Sequence, residues 1–322
     1  MNRVLVTGGA GFIGSHVAEA YLRRGDRVWV VDDLSSGRLQ NLAAGIEFVK
    51  MDIADPGLDD LFRQVGGFDV VNHHAAQIDV RKSVASPAAD ARINIIGLLN
   101  VLECARRHQA GRVIFVSSGG VVYGEPDVRP TPETAPKAPL SPYGVTKLSA
   151  EYYLNYYERI HALPYAAVRY SNVYGPRQDP HGEAGVVAIF CEHMIDGRPL
   201  TIFGDGEQTR DYVFVGDVVA ANLALTDAAL PPPDAVGLAG GIDARAFNVG
   251  TGVETTVNEL AELTMDVAGR RVEVGYGAAR PGELRHSSLD NRRLRALGWA
   301  PRTSLGEGLR QTYEHIKGQA QA

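Results

Sequence analysis

Short runs of β-branched and other apolar residues recur along the first half of the chain, and amphipathic segments of helical period separate most of them. Runs that alternate with helices in this way predict βαβ units, and therefore a parallel sheet covered by helices on both faces. The pattern thus predicts an α/β fold with a doubly wound parallel sheet. Its expected strands are Arg3 to Thr7, Arg27 to Asp32, Ile46 to Lys50, Phe68 to Asn72, Arg112 to Ser117 and Pro164 to Arg169.

Beyond about residue 172 the pattern weakens into short strands such as Leu200 to Phe203, helices such as Thr256 to Ala268, and long loops. We interpret residues 1–172, with a return segment at about 208–250, as the domain built on the sheet. The rest of residues 173–322 is expected to form a smaller mixed α/β lobe that closes over ligand at the carboxyl edge of the sheet. The Pro- and Gly-rich passage from Asp227 to Gly241 is expected to be a surface loop.

Composition narrows the class of protein. The 322 residues carry a formal net charge of −6 without a basic run, so the broad electropositive surface of a nucleic-acid-binding protein is not indicated. Cys104 and Cys191 stand far apart without a His cluster, which indicates neither a disulfide framework nor a metal site. No stretch approaches the roughly 20 apolar residues of a membrane span, and the amino-terminal residues lack a secretory signal. We expect a cytoplasmic protein that binds small molecules.

Glycines follow the first expected strand and open a helix. Gly8, Gly11 and Gly14 have the spacing of a dinucleotide-binding turn, which admits a pyrophosphate close to the backbone and to the free N–H groups of the helix. Asp32 ends the second expected strand, where a carboxylate binds the adenosine ribose and repels a 2′-phosphate. The pattern predicts a Rossmann domain that binds NAD rather than NADP. Alternatively, Asp32 is a solvated turn residue.

Tyr143 and Lys147 are four residues apart, which places both side chains on one face of a helix. A lysine ammonium beside a phenol favours the phenolate, so the tyrosine can act as a base near neutral pH. This chemistry suits removal of a proton from a sugar hydroxyl while a hydride leaves the same carbon. The alternative interpretation is a tyrosine in the core with an exposed lysine.

Together these segments resemble the extended short-chain dehydrogenase/reductase family, and within it the UDP-galactose 4-epimerases, over nearly the whole chain. The resemblance implies that a UDP-hexose is epimerized at C4 by transient oxidation with bound NAD, through a 4-keto intermediate. It also implies a homodimer, formed by the helix that contains Tyr143 and by the helix around Ala88 to Arg107. The matching segments are Thr7 to Gly14, Val31 to Leu34, His74 to Gln77, Ser117 to Gly124, Tyr143 to Lys147 and Arg169 to Arg177.

The cofactor site that the motifs and the resemblance imply extends over several strand ends. Of its members, Asp52 stands before a turn and is equally well interpreted as a cap. The expected site comprises Gly8, Gly11, Phe12, Ile13, Gly14, Asp32, Asp33, Asp52, Ile53, Ala75, Tyr143 and Lys147.

One position departs from the family. The catalytic Ser or Thr of the family lies four residues before the tyrosine that is Tyr123 here, and this chain has Gly119 at that position. Either Ser118 supplies the hydroxyl that binds the sugar 4-oxygen, or the site relies on Tyr143 alone. The related 4,6-dehydratases carry an acid pair directly afterwards for the elimination of water. Gly120 and Val121 stand there instead, which argues against dehydration.

The resemblance also implies a substrate site. Asn172, Arg210 and Arg280 would hold the nucleotide diphosphate, since guanidinium groups stay charged at any working pH. Without the resemblance, each arginine would be interpreted as a surface ion-pair partner. Phe203 would line the uracil pocket, and Ser287 would leave room for an N-acetyl group, which predicts that UDP-GlcNAc and UDP-GalNAc are accepted besides UDP-glucose and UDP-galactose.

Two further functions stay open from the sequence. One keeps the fold but changes the substrate to UDP-glucuronate, a UDP-pentose or a GDP- or TDP-sugar, on which the protein would be an epimerase or a reductase. The other is a catalytically silent NAD-binding sensor or scaffold. Gly119 favours that second alternative, whereas Tyr143 and Lys147 oppose it.

Overall fold

The computed structural model describes residues 1–180, 185–230, 238–279 and 284–320. At its centre is a seven-stranded sheet, whose strands are β1 (Arg3–Thr7), β2 (Arg27–Asp32), β3 (Glu47–Lys50), β4 (Val70–His73), β5 (Arg112–Ser118), β6 (Tyr165–Tyr170) and β11 (Ala246–Val249). Their order is β11-β6-β5-β4-β1-β2-β3, and every neighbouring pair is parallel. The predicted doubly wound parallel sheet is therefore confirmed.

Helices cover both faces of the sheet. The α-helices are α1 (Phe12–Arg23), α2 (Leu58–Val65), α3 (Val80–Ala85), α4 (Pro87–Ala91), α5 (Leu98–Arg107), α6 (Gly119–Val122), α7 (Pro142–His161), α8 (Val186–Asp196), α9 (Val215–Asp227), α10 (Val257–Ala268), α11 (Arg292–Arg295) and α12 (Leu305–Ala320). A π-helical segment, Arg92–Gly97, leads into α5, and 3₁₀ turns span Leu39–Asn41 and Leu238–Arg245.

Because both faces of the sheet are buried, its strands are continuously apolar instead of alternating. In β1, Leu5 packs on the face covered by α2, α5 and α7, where it meets Leu102. Val4 and Val6 point to the opposite face, where α1 and α9 contribute residues such as Val17. Two cores thus share one sheet, which holds the carboxyl ends of the strands in fixed positions.

The later part of the chain builds a third core. It contains the strands β7 (Asn172–Tyr174), β8 (Leu200–Phe203), β9 (Thr209–Arg210), β10 (Tyr212–Phe214), β12 (Thr255–Thr256) and β13 (Val274–Gly277). These strands form three pairs, β7–β10, β8–β13 and β9–β12, beside helices α8, α10 and α12. In this part of the chain α9 and β11 return to the main sheet. We propose the smaller lobe as the substrate domain, with its boundary near residue 172.

Two sequence-based expectations fall wholly or partly on residues that the structure does not describe. Arg280 lies outside the described residues, as do residues 231–237 of the expected surface loop. In the described ranges, no helix has the length and apolar character needed to cross a membrane. Within the same ranges, no cluster of three or more His, Cys, Asp or Glu side chains is arranged to bind a metal ion.

Candidate active site

The glycine turn after β1 leaves no space for a side chain at Gly8 or Gly14. Gly8 adopts a φ of +66°, and a Cβ there would lie 2.6 Å from the Ala75 nitrogen. A Cβ on Gly14 would overlap the Gly8 carbonyl oxygen, so α1 can approach the turn only because residue 14 is glycine. The Ala75 N–H also donates to Thr7 Oγ1 at 3.3 Å, which joins the ends of β1 and β4.

Helix α1 begins at this turn. Gly11 is its N-cap and brings no side chain to the helix end, so the N–H groups of the first turn are open to a phosphate. Phe12 and Ile13 follow, and both are partly buried against the core of the smaller lobe. The first turn of α1 therefore lies between the sheet and that lobe.

The Asp32 carboxylate closes the other side of the glycine turn. Its Oδ2 accepts from the Ala10 N–H at 2.9 Å and its Oδ1 from the Leu34 N–H at 2.8 Å. Burial raises the pKa of Asp32, and the two N–H donors oppose this rise. Asp32 is thus a buried part of the turn, and its position disfavours a 2′-phosphate. The turn, the start of α1 and this carboxylate together fit NAD.

The other acids of the expected cofactor site are engaged in local turns. The exposed Asp33 accepts from the Ser35 N–H at 2.8 Å, and the exposed Asp52 accepts from the Ala54 N–H at 2.8 Å. Ile53 beside it is buried. Asp52 thus caps a local turn and not a helix, because α2 begins at Leu58 after the N-cap Gly57, and its place in the cofactor site stays a prediction.

Tyr143 and Lys147 lie together in the first turns of α7. The helix is capped by Ser141, whose Oγ accepts from the Gly144 N–H at 3.1 Å. The Lys147 ammonium lies 5.7 Å from the centre of the Tyr143 ring and donates to the Val116 carbonyl at 2.9 Å. Tyr143 is 9% and Lys147 4% exposed, so Lys147 is not the exposed lysine of the alternative interpretation.

A chain of contacts joins this pair to the glycine turn. His73, the last residue of β4, contacts Thr7 Oγ1 through its Nδ1 at 2.8 Å and stacks on Phe115 with 6.0 Å between ring centres. The Lys147 ammonium lies 5.0 Å from the centre of the same Phe115 ring. Burial, and secondarily Lys147, lowers the pKa of His73 to about 3, so this ring is neutral. The glycine turn and the Tyr143–Lys147 pair thus share one edge of the sheet.

Burial also lowers the pKa of Lys147, to about 8, while Asp90 and Glu151 act in the opposite direction. No sequence pattern indicated Asp90. It is buried and accepts from Thr146 Oγ1 at 2.8 Å and from Gln77 Nε2 at 2.9 Å. Lys147 is therefore mostly charged at neutral pH, although its pKa lies only a little above that pH.

Glu151 is a second supporting residue that the sequence analysis missed. Its carboxylate accepts from Ser117 Oγ at 2.5 Å and from two nitrogens of Arg169 at 2.6 and 3.0 Å. Glu151 and Arg169 have no exposed surface. Glu151 follows Lys147 by four residues, and this spacing is visible in the sequence. Its partner Arg169 could not be found in the same way, because it lies on β6. The pair fastens α7 to the ends of β5 and β6.

Ser118 ends β5 next to this anchor. It is half-buried, and its hydroxyl makes no hydrogen bond with the part of the chain that the structure describes. Gly119 after it is buried and begins α6. A Cβ on Gly144 would lie 2.9 Å from the Val121 oxygen, so α6 packs directly on the first turn of α7. Ser118 therefore brings a hydroxyl without a hydrogen-bond partner among the described residues to the carboxyl end of β5.

The expected substrate residues lie on the smaller lobe and at its border. Asn172 is exposed on β7, and Phe203 is 37% exposed at the end of β8. Arg210 is half-buried on β9, donates to the Thr209 carbonyl at 2.8 Å, and has no carboxylate partner within the described ranges. Among the described residues, Arg210 therefore lacks the ion pair that its alternative interpretation predicts.

Ser287 is buried, with 5% of its surface exposed. The segment that contains it runs beside β9, because the Thr209 N–H donates to the Arg285 carbonyl at 3.0 Å. The Asp211 carboxylate, buried below β9, accepts from the N–H groups of Thr251 at 2.7 Å and Leu289 at 3.1 Å. The buried carboxylate of Asp211 thus holds the segment that contains Ser287 close to β9, the strand that contains Arg210.

Comparison with known proteins identifies the family. Residues 4–239 match the sequence profile of the NAD dependent epimerase/dehydratase family. The chain is 46% identical to a UDP-glucose 4-epimerase of Mycolicibacterium smegmatis, over 99% of this chain and 100% of that protein. This chain therefore belongs to the NAD-dependent epimerase/dehydratase family, and the sequence-based resemblance is confirmed.

Solved structures agree with this assignment. The structure of a UDP-glucose 4-epimerase from Thermotoga maritima with UDP-glucose superposes with a TM-score of 0.92, at 45% identity and with 99% of both chains covered. That of a UDP-glucose 4-epimerase from Thermus thermophilus in complex with NAD gives a TM-score of 0.89 at 41% identity, covering 98% of this chain and 99% of that one.

The pKa of Lys147 predicts how stability varies with pH. A lysine whose pKa falls from 10.5 to about 8 on folding destabilises the folded state by roughly 3 kcal/mol at pH 7. This cost is full below about pH 8 and is lost as the pH rises towards 10.5, where the unfolded lysine also becomes neutral. In urea unfolding, we expect the free energy of unfolding of the parent to rise by about 2 kcal/mol, relative to that of Lys147→Met, between pH 7 and pH 10.

The exposed Lys82 is the matched control. We expect the difference between the parent and Lys82→Met to stay constant over the same range. If Lys147→Met also shows a constant difference, the ammonium is not buried as described.

Proposed function

We propose that this chain is an NAD-dependent UDP-hexose 4-epimerase that interconverts UDP-glucose and UDP-galactose, and also UDP-GlcNAc and UDP-GalNAc. One observation carries the proposal: the buried pair of Tyr143 and Lys147 shares a sheet edge with the glycine turn. The relatives named as UDP-glucose 4-epimerases, at 45–46% identity over nearly the whole chain, support the same reaction.

Tyr143 is the general base of the proposed mechanism. The Lys147 ammonium, held 5.7 Å from its ring, stabilises the phenolate and so lowers the cost of removing the proton from the sugar 4-hydroxyl. Bound NAD would accept the hydride from C4 and return it, so the redox change cancels within one turnover. Ser118 donates a hydrogen bond to the 4-oxygen, because its hydroxyl has no partner among the described residues.

The smaller lobe holds the nucleotide in this proposal. Arg210, Asn172 and Arg280 bind the diphosphate, and Phe203 lines the pocket of the base. Arg210 is suited to this role because it is half-buried and has no carboxylate partner in the described ranges. Fixing the diphosphate leaves the 4-keto sugar free to turn its other face towards the cofactor, which reverses the configuration at C4.

The first experiment is an anomeric-proton NMR assay of the purified protein with UDP-galactose, without added cofactor. We expect the gluco epimer to form, and Tyr143→Phe to lower kcat by about 10²- to 10⁴-fold while the protein keeps its bound NAD. Tyr152→Phe is the matched control, since Tyr152 is 59% exposed on the same helix. If only another sugar nucleotide is converted, the proposed substrate is wrong. If NAD binds but no sugar nucleotide is converted, the catalytically silent sensor is favoured.

The buried Ser287 sets the size of the sugar that fits. We expect Ser287→Tyr to abolish conversion of UDP-GalNAc while UDP-galactose is still converted, because the larger side chain fills the space for the acetamido group. Ser287→Ala should convert both. Parallel NMR assays measure this, and equal loss of both activities in Ser287→Tyr would contradict the role of a size gate.

We also propose a homodimer, with a second copy of this chain on the apolar face of α7 and of the π-helical segment before α5. Tyr156 and Ile160 on α7 are 48% and 63% exposed, and Ile96 on the π-helical segment is 55% exposed. Ala88 and Ala91 line a shallow apolar groove beside them. Two such helical faces can pack against each other around a twofold axis. A cytoplasmic location stays a prediction from the sequence.

Light scattering after size exclusion tests the dimer. We expect the parent to have twice the mass of one chain, and Ile96→Glu to shift it to a monomer because a charge would be buried at the interface. Val128→Glu is the control, since Val128 is 62% exposed on the loop between α6 and α7 and belongs to neither of the two helical segments of this face. A parent that is monomeric throughout the concentration series would overturn the proposal.

A further inference from the structure

Gly119 has an ordinary backbone conformation but no room for a side chain. Its φ lies outside the left-handed region, so the backbone itself would accept any residue. A Cβ there would lie 2.5 and 2.8 Å from the two methyl carbons of Leu289. Leu289 is 1% exposed and packs on Val122 and Tyr123, the following residues of the same turn. Leu289 therefore occupies the space that a side chain at position 119 would need.

The backbone of Leu289 is held on both sides. Its own N–H donates to Asp211 Oδ2 at 3.1 Å. The carbonyl of Ser288 accepts from the Thr131 N–H at 2.8 Å, and the Asp290 N–H donates to the Thr131 carbonyl at 2.9 Å. Because these bonds fix the chain before and after it, space at Gly119 would have to come from rotation of the Leu289 side chain, which is 1% exposed in its cluster.

We infer that Leu289 is a positioning residue that keeps position 119 without a side chain and so assigns the hydroxyl of this turn to Ser118. The inference rests on the proposed function, in which that hydroxyl binds the sugar 4-oxygen. Leu289 follows Ser287 by two residues. The segment that is proposed to gate the sugar at C2 thus also determines which residue of β5 meets the sugar at C4.

A thermal unfolding cycle tests the packing independently of catalysis. Gly119→Ser should lower Tm by about 2–6 °C, because it overpacks the contact with Leu289. In a Leu289→Ala background the same substitution should leave Tm unchanged or raise it, since serine restricts the unfolded chain more than glycine does. Leu294→Ala is the matched control, because Leu294 is a fully buried leucine in a different core. An equal loss of Tm in all three backgrounds would overturn the inference.

The functional half is tested by kcat. Ser118→Ala should lower kcat at least about tenfold with KM nearly unchanged, and adding Gly119→Ser should restore nothing while Leu289 is intact. The kcat of the triple variant Ser118→Ala, Gly119→Ser, Leu289→Ala should be at least about tenfold higher than the kcat of the double variant Ser118→Ala, Leu289→Ala.

Two results would overturn the positioning role of Leu289. Recovery of kcat with Leu289 intact would show that Leu289 does not close position 119. Full kcat in Ser118→Ala would show that Leu289 does not act through Ser118. A parent protein without epimerase activity would instead overturn the proposed function, and the Tm cycle would still decide the packing between Leu289 and Gly119.

Discussion

A buried ammonium group, that of Lys147, is the constraint around which the site is built. Lys147 can be charged inside the protein only because the Val116 carbonyl accepts a hydrogen bond from it and because carboxylates lie nearby. Val116 belongs to β5, Asp90 to α4, and Glu151 to α7 itself. The position of the lysine, and with it that of Tyr143, therefore depends on how α7 docks against the sheet.

That docking is fixed by the fully buried ion pair of Arg169 and Glu151 and by the groups that contact it. Arg169 on β6 binds Glu151 on α7 and donates to the Tyr123 hydroxyl at 2.9 Å, while Asp243 meets the same guanidinium at 3.0 Å. Tyr123 in turn donates to Asn248 on β11 at 2.7 Å. Removing one member of such a network would leave the others unpaired, which is more costly than the pair is stabilising. The network thus makes the geometry of the site specific.

Features that form within one segment of the chain can be predicted from the sequence, whereas contacts between distant segments cannot. The glycine turn and the spacing of Tyr143 and Lys147 are set within one βα unit or one helix, and both could be found from residue types. Asp90 lies on α4 and reaches the site because Thr146 on α7 donates a hydrogen bond to it. Asp211 becomes a hub because distant loops donate to it. Sequence spacing contains no information on such tertiary encounters.

The return of the chain to the sheet has a consequence for how the protein folds. β11 pairs with β6, although the first part of the smaller lobe, between Asn172 and Phe214, is synthesised between them. Until Val249 has left the ribosome, β6 presents an unpaired edge with apolar residues, which favours association with other chains. The cofactor domain cannot complete its sheet before much of the other lobe exists, so synthesis couples the two halves of the enzyme.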